Sequence, residues 1–167
     1  MRDAEMVNAI VERRQIEDTR RLRVVPAGEA GLQCPRAHQP GTEFQPLCRP
    51  RGWYDEVPGE IRPPTKAAPG LALVTADNRV VALGSVEPGS MPGEGTLTVV
   101  ALPRWRAEAL GGELLPSLRE LARKEAYCEL TTAVSCQEAV SALKAAGMHV
   151  RCSLSFAGTT ELRLWVD

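Results

Sequence analysis

The residues of this 167-residue chain best placed to do chemistry run Val99-Val100-Ala101-Leu102-Pro103-Arg104-Trp105-Arg106-Ala107-Glu108-Ala109-Leu110-Gly111-Gly112. An apolar strand there enters a turn of small residues that opens a helix. Such a junction presents unpaired backbone N–H groups and the positive end of the helix dipole. Together they form an anion site suited to a pyrophosphate. Arg106 adds a cation, while Ala107, Ala109, Gly111 and Gly112 leave room for a ligand to approach the backbone. The competing reading is a turn whose small residues serve packing alone.

Two further sets of residues could do chemistry. Cys34-x3-His38-x9-Cys48, with His149 as a fourth ligand, has the atoms for a metal but lacks the tight spacing of a zinc knuckle. Buried thiols and a surface histidine account for the same residues, so no metal is expected. A cysteine nucleophile needs an oriented base, and neither His38 nor His149 has a neighbour that assigns it that role. Asp55 and Glu56, beside Trp53-Tyr54, could line a pocket for an amine.

The elements that must position these residues are legible in outline. Asp3 to Arg20 reads as an amphipathic helix, with Met6, Val7, Ile10 and Val11 at helical spacing. Leu22 to Val25 alternates like a short strand. Residues 35–69 hold eight of the thirteen prolines, which block helix interiors and sheet ladders, so an extended, irregular loop region is expected there. Its aromatics Phe44, Trp53 and Tyr54 should pack against the domain. Leu71 to Thr75 and Arg79 to Val86 form a hairpin around Asp77-Asn78. A Pro/Gly-rich loop over Glu87 to Gly95 leads to the strand Thr96 to Leu102. Leu110, Leu114, Leu115, Leu118 and Leu121 then mark one helix, with a kink expected at Pro116. Leu130 to Val134 is a strand, Glu138 to Ala146 a helix, and Val150 to Phe156 pairs with Glu161 to Val166. The order β-β-β-α-β-α-β-β from Gly70 implies an α/β (α+β) fold, a mixed sheet with helices on its faces.

Bulk properties bound the function. The length fits one domain over 1–167, with 1–69 a divergent segment and 70–167 the core. A formal net charge of -1 argues against a nucleic-acid binder held by general electrostatics. No apolar run approaches the roughly 18 residues that suggest a membrane span. The N-terminus has no signal-peptide pattern. Five scattered cysteines fit reduced thiols, so a cytoplasmic protein is expected.

The segment from Arg106 to Gly111 resembles the central motif of the GNAT family of N-acetyltransferases, Q/R-x-x-G-x-G/A. Arg106 matches the Gln/Arg, Ala109 stands where the first Gly is usual, and Gly111 matches the last position. Element order agrees from Gly70 to Val166, and Ala139 and Gly147 match the later N-x-x-A and Gly-Phe positions. The resemblance implies a mixed, twisted sheet whose two central strands splay to admit the pantetheine arm of acetyl-CoA. It implies that backbone groups of Val100, Ala101 and Leu102 bond that arm. The N–H groups of Arg106, Ala107, Glu108, Ala109, Leu110, Gly111 and Gly112 would wrap the pyrophosphate.

The implied reaction is direct attack of a primary amine, in a small molecule or a protein, on the thioester. Glu94 and Glu87 are the acids nearest the family's base positions, although their place beside Pro/Gly-rich loops favours ordinary solvated loop acids. The usual tyrosine acid is replaced by Leu143 and the usual Asn by Cys136, which leaves Ser141 as the hydroxyl on that helix. These departures keep open an alternative, a catalytically impaired GNAT-fold module for CoA binding, structure or protein interaction. The resemblance also admits a homodimer.

Overall fold

The computed structural model describes residues 22–29, 31, 44–50, 70–156 and 158–166. In chain order, β1 (Arg23–Pro26) and β2 (Gln45–Cys48) precede a hairpin of β3 (Gly70–Val74) and β4 (Val80–Pro88). β5 (Glu94–Ala101) follows, then a 3-10 turn over Pro103–Trp105 and helices α1 (Arg106–Gly111) and α2 (Leu114–Lys124). The chain closes with β6 (Glu129–Val134), α3 (Gln137–Ala145), β7 (His149–Phe156) and β8 (Thr159–Trp165). The eight strands form one sheet in the order β1-β3-β4-β5-β6-β8-β7, with β2 also paired to β5. Among the described strands, β5 and β6 alone run parallel. The α/β class with a mixed sheet and flanking helices is therefore the observed architecture.

The sequence builds this sheet by simple means. β4 is buried at every position from Val80 to Val86, which is why it reads as an unbroken apolar run and not as an alternation. The β3–β4 turn places Asn78 at φ 63, a left-handed conformation that asparagine tolerates better than most residues. α2 turns Leu114, Leu115, Leu118 and Ala122 inward. It sits close on β4 because Gly84 has no side chain: a Cβ there would stand 2.4 Å from Leu118 Cδ1. α3 buries Ala139, Val140 and Leu143. These faces meet Leu97, Leu130, Leu162 and Leu164 in one cluster. Burying such a leucine contributes roughly 1.5–3 kcal/mol, so this cluster carries the hydrophobic stabilisation of the domain.

Three expectations are corrected. The proline-rich region is not irregular throughout, since Gln45–Cys48 is a strand within the sheet. Pro46 is accommodated by a register shift between Pro46 and Cys48, a bulge of the kind in which strand prolines survive. The expected single kinked helix is two helices. Gly112 caps α1 with φ -99 and ψ -150, where a Cβ would lie 2.7 Å from the Glu108 carbonyl oxygen. Pro116 then falls in the first turn of α2, where its missing N–H would have had no intrahelical acceptor. Finally, Glu87 and Glu94 lie on strands, because β4 runs to Pro88 and β5 begins at Glu94. The helix expected over Asp3 to Arg20, and Trp53, Tyr54, Asp55 and Glu56, lie outside the described residues.

Candidate functional site

The crossover from β5 through α1 and α2 to the parallel strand β6 sets the site. Ligands of such units gather beyond the carboxyl ends of the strands. There a groove of about 520 Å³ separates the α1–α2 junction from α3. One wall is Ala107, Leu110, Gly111, Gly112 and Pro116, and the other is Glu138, Ser141, Ala142, Ala145 and Ala146. Small side chains dominate both walls, so backbone is accessible from the groove. A Cβ on Gly111 would meet nothing within 4 Å.

Arg106 does not line this groove but reaches toward its wall residue Glu138, with its side chain 42% exposed. One guanidinium nitrogen donates to Cys136 Sγ at 2.8 Å, and Nε lies 4.0 Å from a Glu138 carboxylate oxygen. The cation is thereby held against the first turn of α3. An exposed pair of this kind contributes little to stability, so its role is positional.

Two of the donors expected along Arg106 to Gly112 have partners within the chain. The Arg106 N–H donates to the Pro103 carbonyl and the Gly112 N–H to the Glu108 carbonyl at 3.0 Å. α1 is a short helix of six residues, and the N–H groups of its first turn have no acceptor within it. The first turn of α2, after Gly112, adds further N–H groups of the same kind.

The other expected site residues divide. Ser141 lines the groove with Ala107, Leu110, Gly111 and Gly112. Glu94 opens β5 opposite Glu129, and Glu87 pairs with Thr96, at the far end of β5 from the groove. Eight strand residues span about 23 Å, so both carboxylates lie at the opposite end of the strand from the groove. Leu143 is 0% exposed within the core and does not line the groove.

Val100, Ala101 and Leu102 are buried. On one edge of β5, Ala101 and Val100 pair with Ala82 and Leu83 of β4, and on the other with Gln45 and Pro46 of β2. The Leu102 N–H donates to the Val81 carbonyl at 3.0 Å. The edge expected to bond a cofactor arm is thus occupied by the chain itself.

β2 is the part of the site that sequence reasoning missed. β5 and β6 pair only over Glu94–Thr96 and Glu129–Thr131 before they diverge. β2 enters that opening, pairing with β5 on one side and reaching β6 through Arg49 on the other. The Arg49 N–H donates to the Ala133 carbonyl at 2.9 Å, and the Ala133 N–H returns the bond at 2.7 Å. Thr132 Oγ1 donates to the Leu97 carbonyl at 2.9 Å, tying β6 to β5 beneath the strand. Cys48 is fully buried here, and burial pushes its thiol up to about 12, opposed in part by a hydrogen bond with Thr132. The only sequence signal was the pair Leu47-Cys48, and the flanking prolines concealed it.

Among the described residues, no group of three or more His, Cys, Asp or Glu side chains is placed to hold a metal. Cys34 and His38 lie outside those residues, and His149 is exposed at the start of β7. No described helix is long and apolar enough to cross a membrane.

No protein-family model matches the chain, and no curated protein matches it. Solved structures do. An N-acetyltransferase from Staphylococcus aureus Mu50 is similar at 12% identity over 60% of this chain and 68% of that one, with a TM-score of 0.50. A protein provisionally described as a phosphinothricin N-acetyltransferase is 14% identical over 62% of this chain and 72% of its own, also at 0.50. A third, provisionally described as an acetyltransferase from Acinetobacter baylyi ADP1, is 12% identical over 63% and 73%, at 0.50. With the strand order and crossover above, this likeness shows that the chain has the GNAT N-acetyltransferase fold.

Proposed function

We propose that this protein binds acetyl-CoA and transfers its acetyl group to a primary amine of a small molecule or a protein. The observation that carries the reading is the groove after β5, walled by small residues, with Arg106 reaching toward its wall. Its phosphate end suits the cofactor: Gly111 is open, α2 begins beside it, and a cation stands near. The arm is a different matter. In the conformation described, β2 fills the opening between β5 and β6 through which an extended arm would run.

When bound, acetyl-CoA supplies an acyl group activated as a thioester, for direct attack by the amine nitrogen. The residues of this chain would orient the reactants and move protons. Arg106 and the α2 N-terminus hold negative charge, and Ser141 is the groove hydroxyl available to the departing thiolate. Glu87 and Glu94, at the end of β5 away from the groove, are the carboxylates to take the amine proton, directly or through water.

A second reading, a GNAT-fold module without catalysis, is favoured by one specific observation: β2 pairs along the β5 edge that an arm would use. Thermal unfolding with and without acetyl-CoA separates the two, because a ligand of the folded state alone raises its melting temperature. At about 100 times the Kd, the expected stabilisation is about 2.7 kcal/mol. Gly111→Asp places a carboxylate in the open space facing the groove and should lose that stabilisation while melting like wild type without ligand. Equal stabilisation of both proteins would remove the groove from the cofactor site. No stabilisation of wild type by CoA or acetyl-CoA, together with no acetylation across an amine panel, would establish the second reading.

A further inference from the structure

We propose that β2 is a detachable strap across the acyl-CoA cleft, so that the free protein is closed and cofactor binding requires the strap to leave. The inference rests on the acetyl-CoA reading above and adds its regulation. It starts from the parallel pair β5–β6, which separates after three residue pairs. Diverging strands leave unpaired N–H and C=O groups on their facing edges, and buried backbone groups must find partners. β2 supplies them, through Gln45, Pro46 and Cys48 against Ala101, Val100 and Val99, and through Arg49 against Ala133. An extended ligand with amide groups along a flexible chain offers the same complement of donors and acceptors. β2 and such an arm therefore compete for one set of backbone groups.

The strap is built to release. It has four residues, contains a proline that cannot donate to the ladder, and shifts register beside it. Its first two residues are exposed, and its anchors are the core residues Leu47 and Cys48, the paired Arg49–Ala133 backbone bonds, the Thr132 Oγ1 bond to the Arg49 carbonyl, and the Arg49 bond to Ser135 Oγ at 2.8 Å. The sheet does not depend on it. β5 retains seven pairs with β4, and β6 retains six with β8. Segments with few buried contacts open locally at a small fraction of the global unfolding free energy.

Cys48 reports the state of the strap, since it is 0% exposed when β2 is seated. The experiment follows alkylation of each cysteine in the intact protein by mass spectrometry, with binding of acetyl-CoA measured in parallel by calorimetry. Saturating acetyl-CoA should speed alkylation of Cys48 by about tenfold or more, as the seated population is displaced. Cys128 and Cys152, exposed already, should not change. Measured binding with Cys48 still protected would overturn the strap and leave the cofactor reading intact.

Leu47→Asp, which puts a charge in the buried anchor, should tighten acetyl-CoA affinity by about tenfold by raising the open fraction. Arg49→Ala, which removes the side-chain bond to Ser135, should do so by about threefold and guards against misfolding of the first variant. Unchanged or weaker affinity in folded variants would also overturn the proposal. Binding in the variants but not in wild type would establish it. Absence of binding in all three proteins would refute the cofactor reading, and the strap with it.

Discussion

Leu143 shows how one residue changes meaning once its surroundings are known. In sequence it stands where the GNAT resemblance expects an acid, which invites restoring a tyrosine to gain rate. In the structure it is 0% exposed in the main core, and the groove hydroxyl on α3 is Ser141 instead. Leu143→Tyr should therefore cost about 1–3 kcal/mol through overpacking and give no gain in acyl transfer. Denaturant unfolding and an amine-acetylation assay on the same preparation check both halves. A faster enzyme of unchanged stability would mean that position 143 reaches the groove. The same contrast holds for Arg106, whose cationic character is readable in sequence. Its hold on Cys136 at 2.8 Å, thirty residues away, is not.

At the level of elements, the break between α1 and α2 adds a second helix start where an anion can be held. The leucine periodicity spans the break without registering it, because both helices bury residues against the same core. Gly112 makes the break, since its close approach to the Glu108 carbonyl excludes a side chain. Pro116 consequently sits at a helix start. Pro116→Ala should change stability by less than about 1 kcal/mol, whereas relieving a mid-helix proline would stabilise by about 3 kcal/mol. Chemical denaturation distinguishes the two, and a gain near the larger value would return Pro116 to a helix interior. β2 teaches the converse lesson. A four-residue strand has too little pattern to announce itself, and it exists because two other strands diverge around it.

The whole molecule stores one pH dependence in its centre. Burial pushes the Cys48 thiol up from its ordinary 9.0 to about 12 when folded. Below the unfolded value both states hold the proton, and the contribution to stability is fully present. As pH rises above it, the unfolded state releases the proton while the folded state retains it, so stability falls toward the folded value. The slope is at most about 1.4 kcal/mol per pH unit. Between pH 8 and pH 10, wild type should lose on the order of 1 kcal/mol more than Cys48→Ala, as read by urea unfolding at each pH. Parallel losses in the two proteins would mean that Cys48 is not held as a buried neutral thiol.

By itself the sequence determined the elements whose signals are local: the β3–β4 hairpin, the β5 strand with its small-residue exit, α3, and the β7–β8 pair. Each is written in consecutive apolar spacing, turn residues or both, and from them the mixed α/β class follows. The tertiary structure alone decided which edges those strands share. It placed β2 in the opening between β5 and β6 and turned Leu143 into the core. It also carried Glu87 and Glu94 to the far end of β5, and it set Ser141 across a groove from Gly111. The physical reason is range. The Thr132 hydroxyl and the carbonyl of Arg49 meet across 83 residues of chain, and a bond from side chain to backbone over that range leaves no mark in residue spacing.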